Sequence, residues 1–154
     1  VVAVLCTAGA LGGFVWEMYA QGFDYAQMVA LGDYGHGDPM PPEAEHALRM
    51  AHTVVLTQIV LFELFVVFNC QSDRESFRHV GFQNRHLFGA VLVSLILHAG
   101  LMYIPAARDT FDLGTLSLAD WGRVLLLALP GLFVSPRVLV KHAPGPEDDE
   151  HAAA

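Results

Sequence analysis

Residues 87–107 run for twenty-one positions without a charged side chain, and Ser94 and His98 are their only strongly polar members. An α-helix rises about 1.5 Å per residue, so about 20 apolar residues cross the roughly 30 Å of a bilayer's hydrocarbon. A soluble helix would need a polar face recurring at helical spacing, and this run has none. Three further runs repeat the pattern. Residues 1–16 carry no charge and end near Trp16 and Tyr19, as a span reaching the headgroup layer does. Residues 53–70 hold a single charge, Glu63. Residues 121–140 are interrupted by Arg123, Pro130 and Arg137. The two arginines lie near the ends, where long basic side chains snorkel to the interface. The whole chain is 54% hydrophobic and only 16% charged, against about 25% charged in a soluble domain. Disorder is excluded by the same figures. The expectation is an all-α fold: a transmembrane four-helix segment, a helical bundle with helices near residues 1–22, 50–70, 87–106 and 119–141. Residues 1–143 form one domain and residues 144–154 a solvated acidic tail.

The connections are unequal. Residues 17–51 contain GDYGHGDPMPPEAEHALRM, whose glycines and prolines predict a loop without regular structure over residues 22–42. Residues 42–50 can be the start of the second helix rising out of that loop. Residues 71–86 form a short polar link. Residues 105–120 open with a proline and close with Ser117 three residues before Asp120, a capping-box-like entry to the fourth helix. Arg74, Arg78, Arg85, Arg137 and Lys141 fall on one side of this arrangement, and Arg49, Arg108 and Arg123 on the other. Basic residues in short loops mark the cytoplasmic side, so both ends are expected in the cytoplasm of a multi-pass cell-membrane protein. The six acidic residues from Glu17 to Glu45 then lie outside. Val1, hydrophobic from the first residue with no basic n-region before it, is not a signal peptide start; the expectation is a fragment of a longer gene product.

Several functions drop out. A net charge of −8 with one lysine, Lys141, leaves no basic footprint for nucleic acid. Cys6 and Cys70 make neither a disulfide framework nor a metal knuckle and fit buried thiols. GxxxxGK[ST], HExxH, GxSxG and CxxC motifs are all missing, so the chain by itself has no machinery for ATP hydrolysis and no cofactor of its own is expected.

Glu63 needs explaining, because an ionisable group near the middle of a span is costly and faces a protein interior or an ion path. Ile59, Glu63, Val66 and Cys70 share a helical stripe, which should turn Glu63 toward other helices. Either it is one ligand of a metal site completed elsewhere, since a hard cation takes six to eight oxygens, or it is a protonated or hydrogen-bonded group fastening helices together. His52 and His98 lie on separate helices at different depths, which argues against a bis-histidine haem. His36, His46, His79, His86 and His142 are loop or tail residues. Ser94 and His98, four apart on one face, are expected to make interhelical hydrogen bonds.

The stretch from residue 49 to 124 resembles the C-terminal membrane domain of the P-type cation-transporting ATPases, in the branch that includes calcium pumps. The resemblance rests on RMAHTVVLTQIVLFELFVVFNCQS, GFQNRHLFGAVLVSLILHAGLMYIP and FDLGTLSLADW; residues 1–19 match in hydropathy alone. It implies the last four of ten membrane helices in a pump membrane domain. It also implies one site residue: calcium pumps of this kind carry a transport-site glutamate on the eighth helix six residues before an asparagine, as Glu63 stands before Asn69. The parent would use ATP and Mg2+ and transport Ca2+ or another cation. The partners implied are membrane lipid, upstream transmembrane helices, cytoplasmic ATPase domains and the transported cation. The Asp-Lys-Thr-Gly phosphorylation loop of such pumps is not in this chain. A free-standing four-helix carrier or assembly protein is the alternative.

Overall fold

The computed structural model describes residues 2–34, 39–70 and 85–133. Among these residues six α-helices follow in order: α1 (Val2–Ala20), α2 (Tyr25–Leu31), α3 (Pro42–Cys70), α4 (Arg85–Tyr103), α5 (Pro105–Thr110) and α6 (Leu118–Ala128). A 3-10 helix, Leu129–Phe133, continues α6. Among the described residues three segments are long and apolar enough to cross a membrane: Val2–Ala20, Pro42–Phe68 and His86–Tyr103. Of the fourth expected span, α6 and the 3-10 helix are described, and residues 134–141 lie outside the described residues, as do the link over residues 71–84 and the tail.

Each boundary has a local reason. α3 begins at Pro42, the earlier of the two starts the sequence offered, 42 and 50. Proline suits a first helical turn because its missing N–H is unneeded there, the Pro41 carbonyl accepts from the Ala44 and Glu45 amides at 2.9 and 3.0 Å, and Glu43 and Glu45 complement the helix dipole. α4 stops at Tyr103, because Pro105 forces the preceding residue out of helical geometry; Ile104 is extended, with φ −85° and ψ 115°. Pro105 then starts α5 inside the stretch read as a connection. The loop over residues 22–42 is not structureless either. After Gly22, at φ +90°, Asp24 caps α2: its carboxylate accepts the Gln27 amide at 2.8 Å, and the Gln27 side chain accepts the Asp24 amide at 2.8 Å.

α3 is the central helix. Ala47, Met50, Ala51, Val54, Leu61 and Phe62 are buried along it, at the spacing of a single stripe. α1 crosses it through Gly9 and Gly13, the small residues four apart that let helices approach closely in lipid. A Cβ on Gly13 would come within 3.3 Å of side-chain carbons of both Val54 and Leu127. At the far end, Pro130 offers no N–H to continue the α6 ladder, and the geometry tightens to 3-10. Gly131 fits there because a Cβ would lie 2.9 Å from the Phe62 carbonyl oxygen. Leu92, Val93, Ile96 and Leu97 of α4 are exposed, as a lipid-facing helix requires.

The segment between α5 and α6 packs on the start of α3. Arg49 meets Asp112 at 2.7 Å, and the Gly114 amide donates to the Thr53 hydroxyl at 2.7 Å. The Tyr103 hydroxyl donates to the Leu116 carbonyl at 2.9 Å and accepts from the Trp121 indole at 3.0 Å. The expected Ser117–Asp120 capping box is present. Its carboxylate also accepts the Ser117 amide at 2.9 Å.

Candidate functional site

The polar side chains of α3 fall on two faces. At about 100° per residue, Thr57 and Gln58 sit about 120–140° around the helix from Glu63. Thr53, Thr57 and Gln58 are fully buried, whereas Glu63 is exposed. Among the described residues Glu63 is thus not buried against another helix; its stripe, with Ile59 and Val66 half-buried, lies beside the buried one. The side chains of Asn69 and Cys70, at the foot of that stripe, lie outside the described residues.

Among the described residues the Glu63 carboxylate makes no hydrogen bond or ion pair, and it lies within electrostatic reach of Cys6 on α1. Nearby an open groove of about 400 Å³ runs between α1 and α3, lined by Cys6, Thr7, Phe14, His52, Val55 and Ile59. No group of three or more His, Cys, Asp or Glu able to hold a metal occurs among the described residues. One carboxylate cannot supply the six to eight oxygens of a calcium site, so any cation held at Glu63 needs ligands from beyond the described residues.

The opposite face is closed by hydrogen bonds. His98 of α4 is buried, with Nε2 3.0 Å from the Thr57 hydroxyl. Thr57 donates to the Thr53 carbonyl at 2.7 Å, and Thr53 to the Arg49 carbonyl at 2.8 Å. His98 thus makes the interhelical bond expected of it. Ser94 does not: its hydroxyl turns back to the Ala90 carbonyl of its own helix at 3.0 Å. His52 stacks loosely on Phe14, ring centroids 6.2 Å apart, so the two histidines are not brought to one haem.

A third polar group went unread in the sequence. Glu17 at the end of α1 is buried and accepts from Gln21 at 2.9 Å. Arg123 of α6 reaches it at 3.7 Å and Asp120 at 3.0 Å. One guanidinium thus serves two buried carboxylates and ties α1 to α6. The only sequence signal was that Glu17 and Arg123 each sit at the end of an apolar run.

The family model for the C-terminus of cation transporting ATPases matches residues 1–139. The chain belongs to this family. A calcium-transporting ATPase of Bacillus subtilis is 29% identical over 129 residues, 82% of this chain and 14% of that protein. Calcium-transporting ATPase 1 of Bacillus cereus is 32% identical over 100 residues, 63% of this chain and 11% of the relative. An endoplasmic-reticulum-type calcium-transporting ATPase 3 of Arabidopsis thaliana is 24% identical over 139 residues, 87% of this chain and 14% of its own length. The chain therefore spans about one seventh of the length of the first of these relatives. It is a membrane-embedded C-terminal segment related to P-type cation ATPases.

Proposed function

We propose that the chain is the last part of the membrane domain of an ATP-driven, calcium-transporting P-type pump, and that Glu63 supplies one ligand to its cation site. The observation that carries this reading is a carboxylate in a membrane span without a partner among the described residues, on a face that those residues leave open beside a groove. In the parent, upstream helices would cover that groove and complete the oxygen shell. ATP and Mg2+ would act in cytoplasmic domains that phosphorylate an aspartate outside this chain. The helices described here would brace the transport core, with four crossings in a ten-helix domain. The calcium-transporting relatives support the choice of ion.

The test is Glu63→Gln in the full-length pump. Glutamine keeps size and most hydrogen-bonding capacity but removes the charge. As a direct ligand, its loss raises the half-saturating cation concentration for phosphorylation about tenfold, equivalent to about 1.4 kcal/mol. An unchanged cation dependence with normal expression removes Glu63 from the site. The structural alternative separates on this variant, since a purely structural carboxyl tolerates Gln; Glu63→Leu lowers folded yield on either reading by leaving the carboxyl's partners unpaired.

A further inference from the structure

The end of α1 is a reversal. Gly22, at φ +90°, takes the left-handed conformation that closes a Schellman turn: the Phe23 amide donates to the Met18 carbonyl and the Gly22 amide to the Tyr19 carbonyl, both at 3.0 Å. The turn sends the chain back beside α1 instead of onward into water. Phe23 and, on α2, Met28 and Leu31 pack against Met18, Ala47 and Ala51. Those three residues belong to the spans Val2–Ala20 and Pro42–Phe68, so α2 is level with the ends of the spans. Met18 stands between Trp16 and Tyr19, both exposed, the kind of aromatic pair that marks the headgroup layer. At about 100° per residue, Tyr25, Ala26, Val29 and Ala30 fall on the side of α2 opposite Met28 and Leu31. All four are exposed, Tyr25 by 71% and Val29 by 57%. The helix carries no charged residue. Its backbone ends are served as a helix leaving water requires. The Asp24–Gln27 capping box holds the first turn. The Val29, Ala30 and Leu31 carbonyls accept from the Gly32, Asp33 and Tyr34 amides at 3.0, 3.2 and 3.4 Å.

We infer that α2 is a membrane-surface helix, its Tyr25–Val29 face resting on lipid in the headgroup layer beside the ends of α1 and α3. Depth argues against bulk water, because the helix is level with side chains inside the spans. Chemistry fits the boundary: apolar side chains face outward together with a tyrosine, whose ring suits the acyl side and whose hydroxyl suits the headgroups. Charge is kept to the two flanks of the helix, at Asp24 and Asp33. No lysine or arginine occurs between Glu17 and Leu48, so the contact rests on apolar burial and not on attraction to anionic lipid. Such a seat holds the long connection between α1 and α3 against the bilayer.

The test is spin labelling of the full-length protein, freed of reactive native cysteines and reconstituted in phosphatidylcholine vesicles. Ala26→Cys and Val29→Cys carry the nitroxide in turn, and Tyr25 stays in place. Oxygen partitions into lipid and a charge-neutral nickel chelate into water, so power saturation against each reads what surrounds the label. Both labels are expected to be severalfold more accessible to oxygen than to the chelate, in the direction shown by Leu97→Cys on the exposed face of α4. Greater access to the chelate puts the face in water and overturns the proposal. Low access to both reagents means that another part of the protein covers the face, and also overturns it. If one labelled protein does not fold, the other decides. The readout does not depend on the cation affinity that tests Glu63.

Discussion

Thr57 has one proton, and the Thr53 carbonyl at 2.7 Å takes it. The His98 Nε2 at 3.0 Å must then bring its own N–H, which assigns the neutral ring's proton to Nε2. Thr57→Val keeps the shape but removes the acceptor, leaving a buried ring N–H unpaired. The expected loss is about 1–3 kcal/mol, seen as a lower melting temperature of the full-length protein. Thr57→Ser should stay near wild type. In a double-mutant cycle, His98→Leu in the Thr57→Val background should cost less than in wild type, because the stranded group is gone. A Thr57→Val protein as stable as wild type would show that the ring nitrogen finds another partner. Sequence pattern had paired Ser94 with His98 as interhelical groups. Spacing identifies a shared face, but not which neighbour comes close enough. α3 reaches His98, and Ser94, exposed to the lipid side, is left to bond its own helix.

At the scale of elements, the two capping boxes decide where short helices exist. Asp24 and Ser117 each accept the amide three residues on, at 2.8 and 3.3 Å. Replacing either with alanine should cost about 0.5–2 kcal/mol, but with different readouts. α6 is held by core contacts through Val124 and Ala128, so Ser117→Ala should lower global stability. α2 has only seven residues, and helices that short are marginal without help. Asp24→Ala should therefore open α2 locally, seen as faster amide exchange at Met28 and Val29 with an unchanged melting temperature. A matching fall in both would mean α2 unfolds only with the bundle, through Met28 and Leu31 on their cluster with Met18 and Ala47. The Ser117 box was legible because an apolar run follows it. The Asp24 box was not, because Gly22, Gly32 and the prolines beyond dominated the reading. The exposed Tyr25 and Val29 carry no clear periodicity over so few residues. Proline signals were read correctly as boundaries at residue 105, yet they also began helices at Pro42 and Pro105.

For the whole molecule, the interactions fix which connections share an end, and the charges set which way that end points. Arg49 to Asp112 at 2.7 Å and Gly114 to Thr53 at 2.7 Å put the start of α3 beside the segment between α5 and α6. Glu17 to Arg123 at 3.7 Å brings the end of α1 to the start of α6. Trp16, Tyr19, Tyr103 and Phe111, all exposed, belong to this same end, where aromatic side chains settle at a membrane interface. The hydropathy of the runs had implied this antiparallel pairing. It had not implied the ion pairs that seal it, because their partners are far apart in sequence. Sidedness is a separate matter, for which the five basic residues against three predict cytoplasmic chain ends. On that prediction the sealed end faces outside. In the full-length protein freed of reactive native cysteines, Asp38→Cys should react with a membrane-impermeant maleimide in intact cells, and Ser76→Cys only after the membrane is opened. Both positions lie outside the described residues, so the prediction rests on their place in the connections and not on local geometry. The reverse labelling would invert the molecule. It would move the Glu17–Arg123–Asp120 group to the cytoplasmic end. Labelling of both positions from outside would instead break the count of crossings between them, which rests on α3 spanning the bilayer.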